Sequence, residues 1–235
     1  MSEQRPAPAG AQRPALVPPP RWSRWIGSFL AHVLWRTEVI GAERVPAQGP
    51  VVLVANHTGL PDGPVLFGVA PRPSHILVKE EMFVGPVGWV LRRSGQIPVN
   101  REDGGRAALA AGRDVLRRGG VVAVFPEGAR GRGDAASARA GAAWLAVNGS
   151  AAIVPVAVLG TRRTGESVNA VPPPRRRLVV EFGPAFTVER PAGTSGRDAI
   201  AHANALVRTA LAAVVADAVE RSGVALPEDD PQRTR

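Results

Sequence analysis

The sequence PVVLVANHTGLPD, at residues 50–62, holds the two features from which the fold of this chain can be predicted. Its first six residues form a continuous apolar run, which is typical of a strand buried on both faces of a parallel sheet. A polar segment with His57 follows directly, and α/β folds place functional side chains just beyond the carboxyl ends of such strands. We therefore expect a buried strand with a functional loop at its end.

Apolar runs and helical patterns alternate along the rest of the chain. Further strands are expected at residues 74–78, 121–125, 153–159 and 178–182. Helices are expected at residues 80–91, 106–117, 138–147 and 196–222, the last with Ser195 as its N-cap. This alternation predicts a single α/β domain over residues 37–222, with a largely parallel mixed sheet flanked by helices.

The two ends of the chain have a different composition. Residues 1–20 are rich in proline and alanine and are predicted to be a disordered tail, and residues 223–235 are predicted to be a flexible tail. Residues 21–36 contain Trp22, Trp25 and Trp35 beside an apolar stripe at helical spacing, flanked by arginines. This amphipathic helix either lies at a membrane interface or packs on the core. No segment is expected to span a membrane.

The composition narrows the function classes. The 235 residues include no cysteine, which excludes disulfides and thiol nucleophiles, and the formal net charge of +9 favours a polyanionic partner. A membrane or a nucleic acid would satisfy that charge, but no motif that reads nucleic acid is present, so no nucleic-acid partner is expected. Lys79 is the single lysine among 29 basic residues, which suggests a position where an ammonium is needed.

His57 and Asp62 have the residue types of a base and its orienting carboxylate. Gly59 and Pro61 disfavour a continuous helix between them, so a turn could bring the carboxylate to one imidazole nitrogen and leave the other free to take a proton. No serine or cysteine nucleophile lies near, so the nucleophile would be a substrate hydroxyl. Taken alone, this spacing is more often structural than catalytic.

Three more segments complete a pattern: GQIPVNR at 95–101, FPEGAR at 125–130 and IVPVA at 153–157. The proline in the last segment, Pro155, favours an edge strand or a bulge. In order and spacing, the four segments resemble the four conserved blocks of the glycerolipid acyltransferase family, and the resemblance extends over about residues 37–190.

The resemblance implies roles for individual residues. His57 would be the general base and Asp62 would orient it. Gly95 and Arg101 would bind the acceptor phosphate, together with the third-block residues Glu127, Gly128 and Arg130, and Pro155 would lie on the acyl-donor side. Ala129 and Gly131 replace hydroxyl residues common in the family, which leaves the acceptor less defined. Lys79 would either stabilise the oxyanion or pair with the adjacent Glu80 or Glu81.

The implied function is transfer of a fatty acyl group from acyl-CoA or acyl-carrier protein to the free hydroxyl of 1-acyl-sn-glycerol-3-phosphate, giving phosphatidic acid in phospholipid synthesis. Neither a metal nor a cofactor beyond the acyl donor is expected. The expected partners are a lysophospholipid acceptor, the acyl donor and an anionic membrane surface, with the protein on the cytoplasmic face of the cell membrane as a peripheral or monotopic protein. The alternatives are a different lyso-lipid acceptor, or a catalytically silent protein that binds anionic lipids.

Overall fold

The fold is built on a seven-stranded sheet, seen in a computed structural model that describes residues 19–135, 139–189 and 193–229. The strands are β1 (Arg36–Ile40), β2 (Val51–Ala55), β3 (Ser74–Lys79), β4 (Ile97–Val99), β5 (Val121–Val124), β6 (Ala152–Leu159) and β7 (Arg177–Phe182). Their order across the sheet is β1-β7-β6-β2-β5-β3-β4. Every neighbouring pair is parallel except β6 and β7, which are antiparallel. The predicted α/β class and largely parallel mixed sheet are confirmed.

Helices cover both faces of the sheet. They are α1 (Arg21–Phe29), which continues as a π-helical turn over Leu30–Leu34, α2 (Asp62–Val69), α3 (Gly85–Arg93), α4 (Arg106–Arg117), α5 (Gly141–Gly149) and α6 (Gly196–Ser222). Alternate residues of β2 point to opposite faces, as a strand requires. Val52 and Val54 join the core beneath α4, α5 and α6, whereas Val51 and Leu53 join the core beneath α1 and α2. The central strand is therefore buried on both faces, as its apolar run predicts.

Several predicted boundaries were wrong for local reasons. The amphipathic segment stops being helical at Leu34, and Arg36 begins β1, an edge strand that its charged residues conceal in the sequence. The helix expected at 80–91 is instead a short 3-10 turn followed by α3, because Pro86 favours the first turn of a new helix. Residue 138, the expected start of α5, lies outside the described residues.

Pro155 lies within β6, which is an interior strand. Val156 pairs with Phe182, whereas Ile153 bridges Phe186, so the opposing chain has one extra residue across from this proline. This irregularity agrees with the expected bulge, and not with an edge strand. It gives a residue without an N–H a place in the middle of a sheet.

The predicted tails have different outcomes. Residues 1–18 lie outside the described residues. Flexibility of the tail from residue 223 stays a prediction; in the structure, residues 223–229 pack back on the loop that follows β6. There the Asp229 carboxylate accepts a hydrogen bond of 2.7 Å from Arg162, and the Glu228 N–H donates to the Thr164 hydroxyl.

The long helix α6 bears on the expectation that no segment spans a membrane. Within the part of the chain that is described, it is the one helix long and apolar enough to cross a membrane by length and composition. Seven of its residues are buried along one face: Ala199, Ala203, Val207, Leu211, Val214, Val215 and Ala218. That face packs on the sheet core, so part of the apolar surface of α6 is buried within the domain. Ser195 is the N-cap as predicted, since its side chain accepts a hydrogen bond from the Asp198 N–H.

Candidate active site

The sheet order brings three loops together at the carboxyl ends of neighbouring strands. β6, β2 and β5 are adjacent and parallel, so the segments that follow their carboxyl ends begin side by side. Those segments start at Gly160, Asn56 and Phe125 respectively. Open parallel sheets bind their ligands at this end of the strands. The segment with His57 is therefore the middle one of three.

His57 and Asp62 form the predicted pair. His57 Nδ1 lies 2.7 Å from Asp62 Oδ2, which leaves Nε2 as the second ring nitrogen, and His57 lines a cavity. The same Asp62 oxygen accepts backbone N–H groups from Thr58 at 2.7 Å and from Gly59 at 2.9 Å. Hydrogen bonding of Nδ1 to a carboxylate fixes the ring orientation and favours the tautomer in which Nε2 can accept a proton.

Asp62 is fully buried at the first residue of α2. A helix N-terminus carries a partial positive charge, which favours a carboxylate there. Its second oxygen, Oδ1, accepts a hydrogen bond from the Thr161 hydroxyl. A buried carboxylate with donors on both oxygens is held in one orientation, so the imidazole bound to it is also fixed.

The segment after β5 contacts both the ring and the backbone of His57. The Phe125 ring stacks on the imidazole, with ring centroids 4.3 Å apart. The His57 backbone N–H donates to Glu127 Oε1 at 3.3 Å, and the His57 carbonyl accepts from the Gly131 N–H at 2.9 Å. Burial raises the pKa of Glu127 to about 8, partly opposed by that hydrogen bond from His57.

Gly128 shapes the entrance to this loop. Its φ of +70° favours glycine, and a Cβ atom there would lie 2.6 Å from Arg139 Nε. Its carbonyl accepts a hydrogen bond from the Arg101 guanidinium, which reaches across from the turn that follows β4. The GQIPVNR and FPEGAR segments are therefore in direct contact, as expected if they build one binding site.

Four cationic side chains line the same cavity as His57: Lys79, Arg101, Arg130 and Arg139. Burial lowers the pKa of Lys79, and the charges of Arg101, Arg130 and Arg139 lower it further, partly opposed by Glu81. The Lys79 ammonium is therefore affected by the positive charges of these arginines and not only by the negative charge of a neighbouring glutamate. Arg130 is held by a 2.6 Å hydrogen bond from Nη1 to Asn169 Oδ1. This concentration of positive charge suits a phosphate group.

The cavity has a volume of about 1580 Å³. Its lining also includes apolar side chains, among them Ile26 and Leu30, from α1 and the turn after it, and Val87 and Val90 of α3. A pocket lined by both cationic and apolar side chains suits a molecule with an anionic head and a hydrocarbon chain.

Three of the residues predicted to bind the acceptor or to lie on the acyl-donor side do not line the cavity. Gly95 has its carbonyl bound to His75 Nδ1 at 2.6 Å, Glu127 points to the His57 backbone, and Pro155 lies in mid-strand with its carbonyl accepting from Gly183. Their predicted contacts with substrate remain predictions. In this structure all three shape the surrounding loops.

Three residues of the site were missing from the predicted set: Arg139, Thr161 and Arg162. Arg139 lies just before α5 and lines the cavity. Thr161 and Arg162 follow β6, and their signal was their place beyond the carboxyl end of a predicted strand. Without the strand order, however, nothing indicates that β6 lies beside β2.

The described residues contain no cluster of three or more histidine, aspartate or glutamate side chains that could hold a metal ion. The site contains a base, the carboxylate bound to it and several cationic side chains. This combination can deprotonate a hydroxyl, bind an anion and stabilise developing negative charge.

Comparison with known proteins gives a consistent result. A family model described as Acyltransferase matches residues 36–159, just over half of the chain. The 1-acyl-sn-glycerol-3-phosphate acyltransferase of Bacillus subtilis (strain 168) is 32% identical over 125 residues, which cover 52% of this chain and 62% of that protein. The human 1-acyl-sn-glycerol-3-phosphate acyltransferase beta is 34% identical over 137 residues, covering 56% of this chain and 49% of that protein.

A solved structure shares the fold. The crystal structure of PlsC, the 1-acyl-sn-glycerophosphate acyltransferase of Thermotoga maritima, superposes with a TM-score of 0.62 at 20% identity, covering 81% of this chain and 77% of that one. At this identity the likeness concerns the fold alone. The chain spans 62% and 49% of the lengths of the two curated relatives above.

Proposed function

Because this chain belongs to the acyltransferase family, we propose that it moves a fatty acyl group from an acyl thioester to the free hydroxyl of 1-acyl-sn-glycerol-3-phosphate, giving phosphatidic acid. The observation that carries the proposal is the 2.7 Å contact between His57 Nδ1 and Asp62 Oδ2 in a cavity lined by four cations. Relatives named for this acceptor support the choice of lipid.

In the proposed reaction, His57 Nε2 removes the proton of the acceptor hydroxyl while that oxygen attacks the thioester carbonyl. The resulting oxyanion collapses, the carbon–sulfur bond breaks, and the proton on His57 passes to the departing thiolate. The donor is activated already, so a base, charge stabilisation and positioning suffice. Lys79, at the end of β3, is the ammonium proposed to stabilise the oxyanion.

Arg101, Arg130 and Arg139 are proposed to bind the acceptor phosphate. Arg101 donates to the uncharged carbonyl oxygen of Gly128, so that contact does not neutralise its guanidinium. A phosphate that enters the cavity would give Arg101 a charge-assisted partner in place of that carbonyl. Acyl-CoA and acyl-carrier protein are both proposed donors, because the thioester is common to them.

The membrane site is proposed from an exposed apolar surface made by α1 and α3. Trp25 is 80% exposed, and Trp22 stacks on Trp89 of α3 with ring centroids 6.1 Å apart, which joins the two helices. The other large exposed apolar residues of this surface are Ile26, Phe29, Val33, Val84 and Val87. Exposed apolar side chains edged by Arg21, Arg92 and Arg93 suit an anionic bilayer, and the cytoplasmic leaflet is the anionic one.

The test is a transfer assay with purified protein, 1-acyl-sn-glycerol-3-phosphate and labelled acyl-CoA or acyl-carrier protein, with and without anionic vesicles. Labelled phosphatidic acid is the expected product. Turnover only with another lysophospholipid would replace the proposed acceptor and keep the reaction. Vesicle binding without turnover on any acceptor or donor would favour a catalytically silent lipid-binding protein.

A further inference from the structure

We propose that Thr161 is a positioning residue, which holds Asp62 so that His57 points its second nitrogen into the cavity. The inference rests on the proposed function for its kinetic test only. Thr161 touches neither the cavity nor the imidazole; it acts through the carboxylate that orients the base.

The two oxygens of Asp62 have unequal support. Oδ2 receives His57 Nδ1 and the backbone N–H groups of Thr58 and Gly59. Oδ1 receives a single hydrogen bond within the described residues, from the Thr161 hydroxyl. Without that donor Oδ1 becomes a buried acceptor with no partner, and this favours rotation of the carboxyl group about its Cβ–Cγ bond towards another donor, against the three hydrogen bonds on Oδ2. Rotation would move Oδ2 away from His57.

The threonine itself is fixed at the site. It is 1% exposed, and its Oγ1 also lies 2.9 Å from the hydroxyl of Thr58, the residue next to the histidine. The hydroxyl has one proton and two acceptor sites, so a threonine that donates to Asp62 can still accept from Thr58. The hydroxyl pair thus links the loop after β6 to the loop after β2.

The next residue, Arg162, holds the Thr161 backbone in place. Its guanidinium is 1% exposed, with Nε donating to the Thr58 carbonyl at 3.0 Å and Nη2 to the Gly131 carbonyl at 3.1 Å. Nη1 donates to the Asp229 carboxylate at 2.7 Å. A buried guanidinium with partners on every nitrogen is a rigid anchor. The three loops around His57 therefore share one fixed centre.

The first experiment is kinetic and uses matched threonine variants in the full chain. T161V keeps the shape of the side chain and removes the hydroxyl; we expect kcat to fall about tenfold to hundredfold, with the acceptor KM unchanged, because a misoriented base is not a weaker binding site. T161S restores the hydroxyl and should recover kcat to within about threefold of wild type. T209V, which changes an exposed threonine of α6 far along the chain, is the control and should match wild type.

The second experiment does not depend on turnover. The proton on His57 Nδ1 is observed by NMR in wild type, T161V and T209V. We expect the signal in wild type and T209V, and its loss or broadening in T161V, because a carboxylate that has lost the donor on Oδ1 holds that proton less well. If wild type turns over no substrate, the proposed function fails, and this measurement still decides the role of Thr161.

Melting temperatures establish that each variant is folded. If T161V does not fold, T161C takes its place, because a thiol of similar size is only a weak donor. The proposal is overturned if the folded variant keeps kcat near wild type, if the loss is in acceptor KM alone, or if T161S fails to recover kcat. An unchanged His57 signal in T161V overturns it as well.

Discussion

At the scale of single residues, this site depends on how one histidine is surrounded. His57 has a carboxylate on one ring nitrogen, an aromatic ring stacked on its face, and both of its backbone groups bonded to the segment that follows β5. Each contact removes one way for the ring to move. A fixed imidazole loses little further freedom when substrate binds, which is what makes positioning effective.

Replacing His57 by alanine should reduce acyl transfer by at least about 10²–10⁴-fold, the usual contribution of a general base. The fold should survive, because the ring is only partly buried at the cavity wall. Initial rates and melting temperature measure the two effects. H202A, which removes an exposed histidine of α6, should retain wild-type rates; a folded H57A enzyme that also retains them would contradict the mechanism.

Replacing Arg101 by alanine should raise the KM for a phosphate-bearing acceptor by about tenfold or more, because a charge-assisted hydrogen bond contributes ~1.5–3 kcal/mol. The change in kcat should be small. R117A, an exposed arginine at the end of α4, is the matched control for lost charge. An acceptor KM that is equal in R101A and R117A would remove Arg101 from the phosphate site.

At the scale of elements, α1 shows that an apolar stripe can be identified from sequence, whereas the surroundings that it faces cannot. The stripe was correctly identified as one face of a helix, but its direction was left open. In the structure the core-facing side consists of small residues, among them Ser23 and Gly27. A Cβ on Gly27 would lie 2.8 Å from the Gly68 Cα of α2, so the two backbones approach too closely for larger side chains. The large apolar residues therefore face outward.

The three tryptophans of this segment have different surroundings. Trp35 is only 3% exposed, and its indole N–H donates to the Pro172 carbonyl at 3.1 Å. The helix ends before Trp35, so Trp35 does not share the outward face of α1 with Trp22 and Trp25. The sequence gives no sign of this change in direction, because β1 starts at the next residue and pairs with a strand far along the chain.

Serine substitutions should separate the two kinds of tryptophan. A W22S/W25S protein should leave anionic vesicles in a sedimentation assay while its melting temperature stays near wild type, because Trp25 is mostly exposed. W35S should instead lose about 3–5 kcal/mol of stability, as expected for a large buried side chain. Wild-type binding should weaken as salt rises. Equal vesicle binding by wild type and W22S/W25S would place the membrane contact elsewhere.

The predictable part of the molecule was the part decided by local sequence. The run at 50–55 is apolar at every position, which is typical of a buried strand, and His57 with Asp62 could be paired because glycine and proline disfavour a continuous helix between them. Thr161 and Arg162 were missed since their partners, Asp62 and Thr58, lie about a hundred residues away in sequence. Their contacts depend on strand order, which no local pattern contains.

At the scale of the whole molecule, one ion pair closes the long connection between β6 and β7. Glu166 accepts two hydrogen bonds from Arg176, at 2.6 and 2.7 Å. These hydrogen bonds lower the pKa of Glu166 to about 2. A lowered carboxyl pKa stabilises the folded state above the ordinary value of 4.5, and that stabilisation is lost as pH falls towards 2.

The variant E166Q should therefore melt below wild type at pH 7, and the gap should narrow steadily as pH is lowered from about 4.5 towards 2. Thermal unfolding at a series of pH values measures it. E38Q breaks a more exposed pair with Arg177 and should change little at any pH. A gap between E166Q and wild type that is independent of pH would mean that the ion pair is not its origin.

The place of β1 at the edge of the sheet, where it pairs with β7 only, has a consequence for how the protein is made. Among the described strands, a ribosome releases β1 first and β7 last. At about 5–20 residues per second, the first strand waits roughly 7 to 30 seconds for its neighbour. During that interval α1, already outside with its tryptophans, has no completed domain behind it. If α1 binds lipid as proposed above, the growing chain can therefore reach a lipid surface before its sheet is complete.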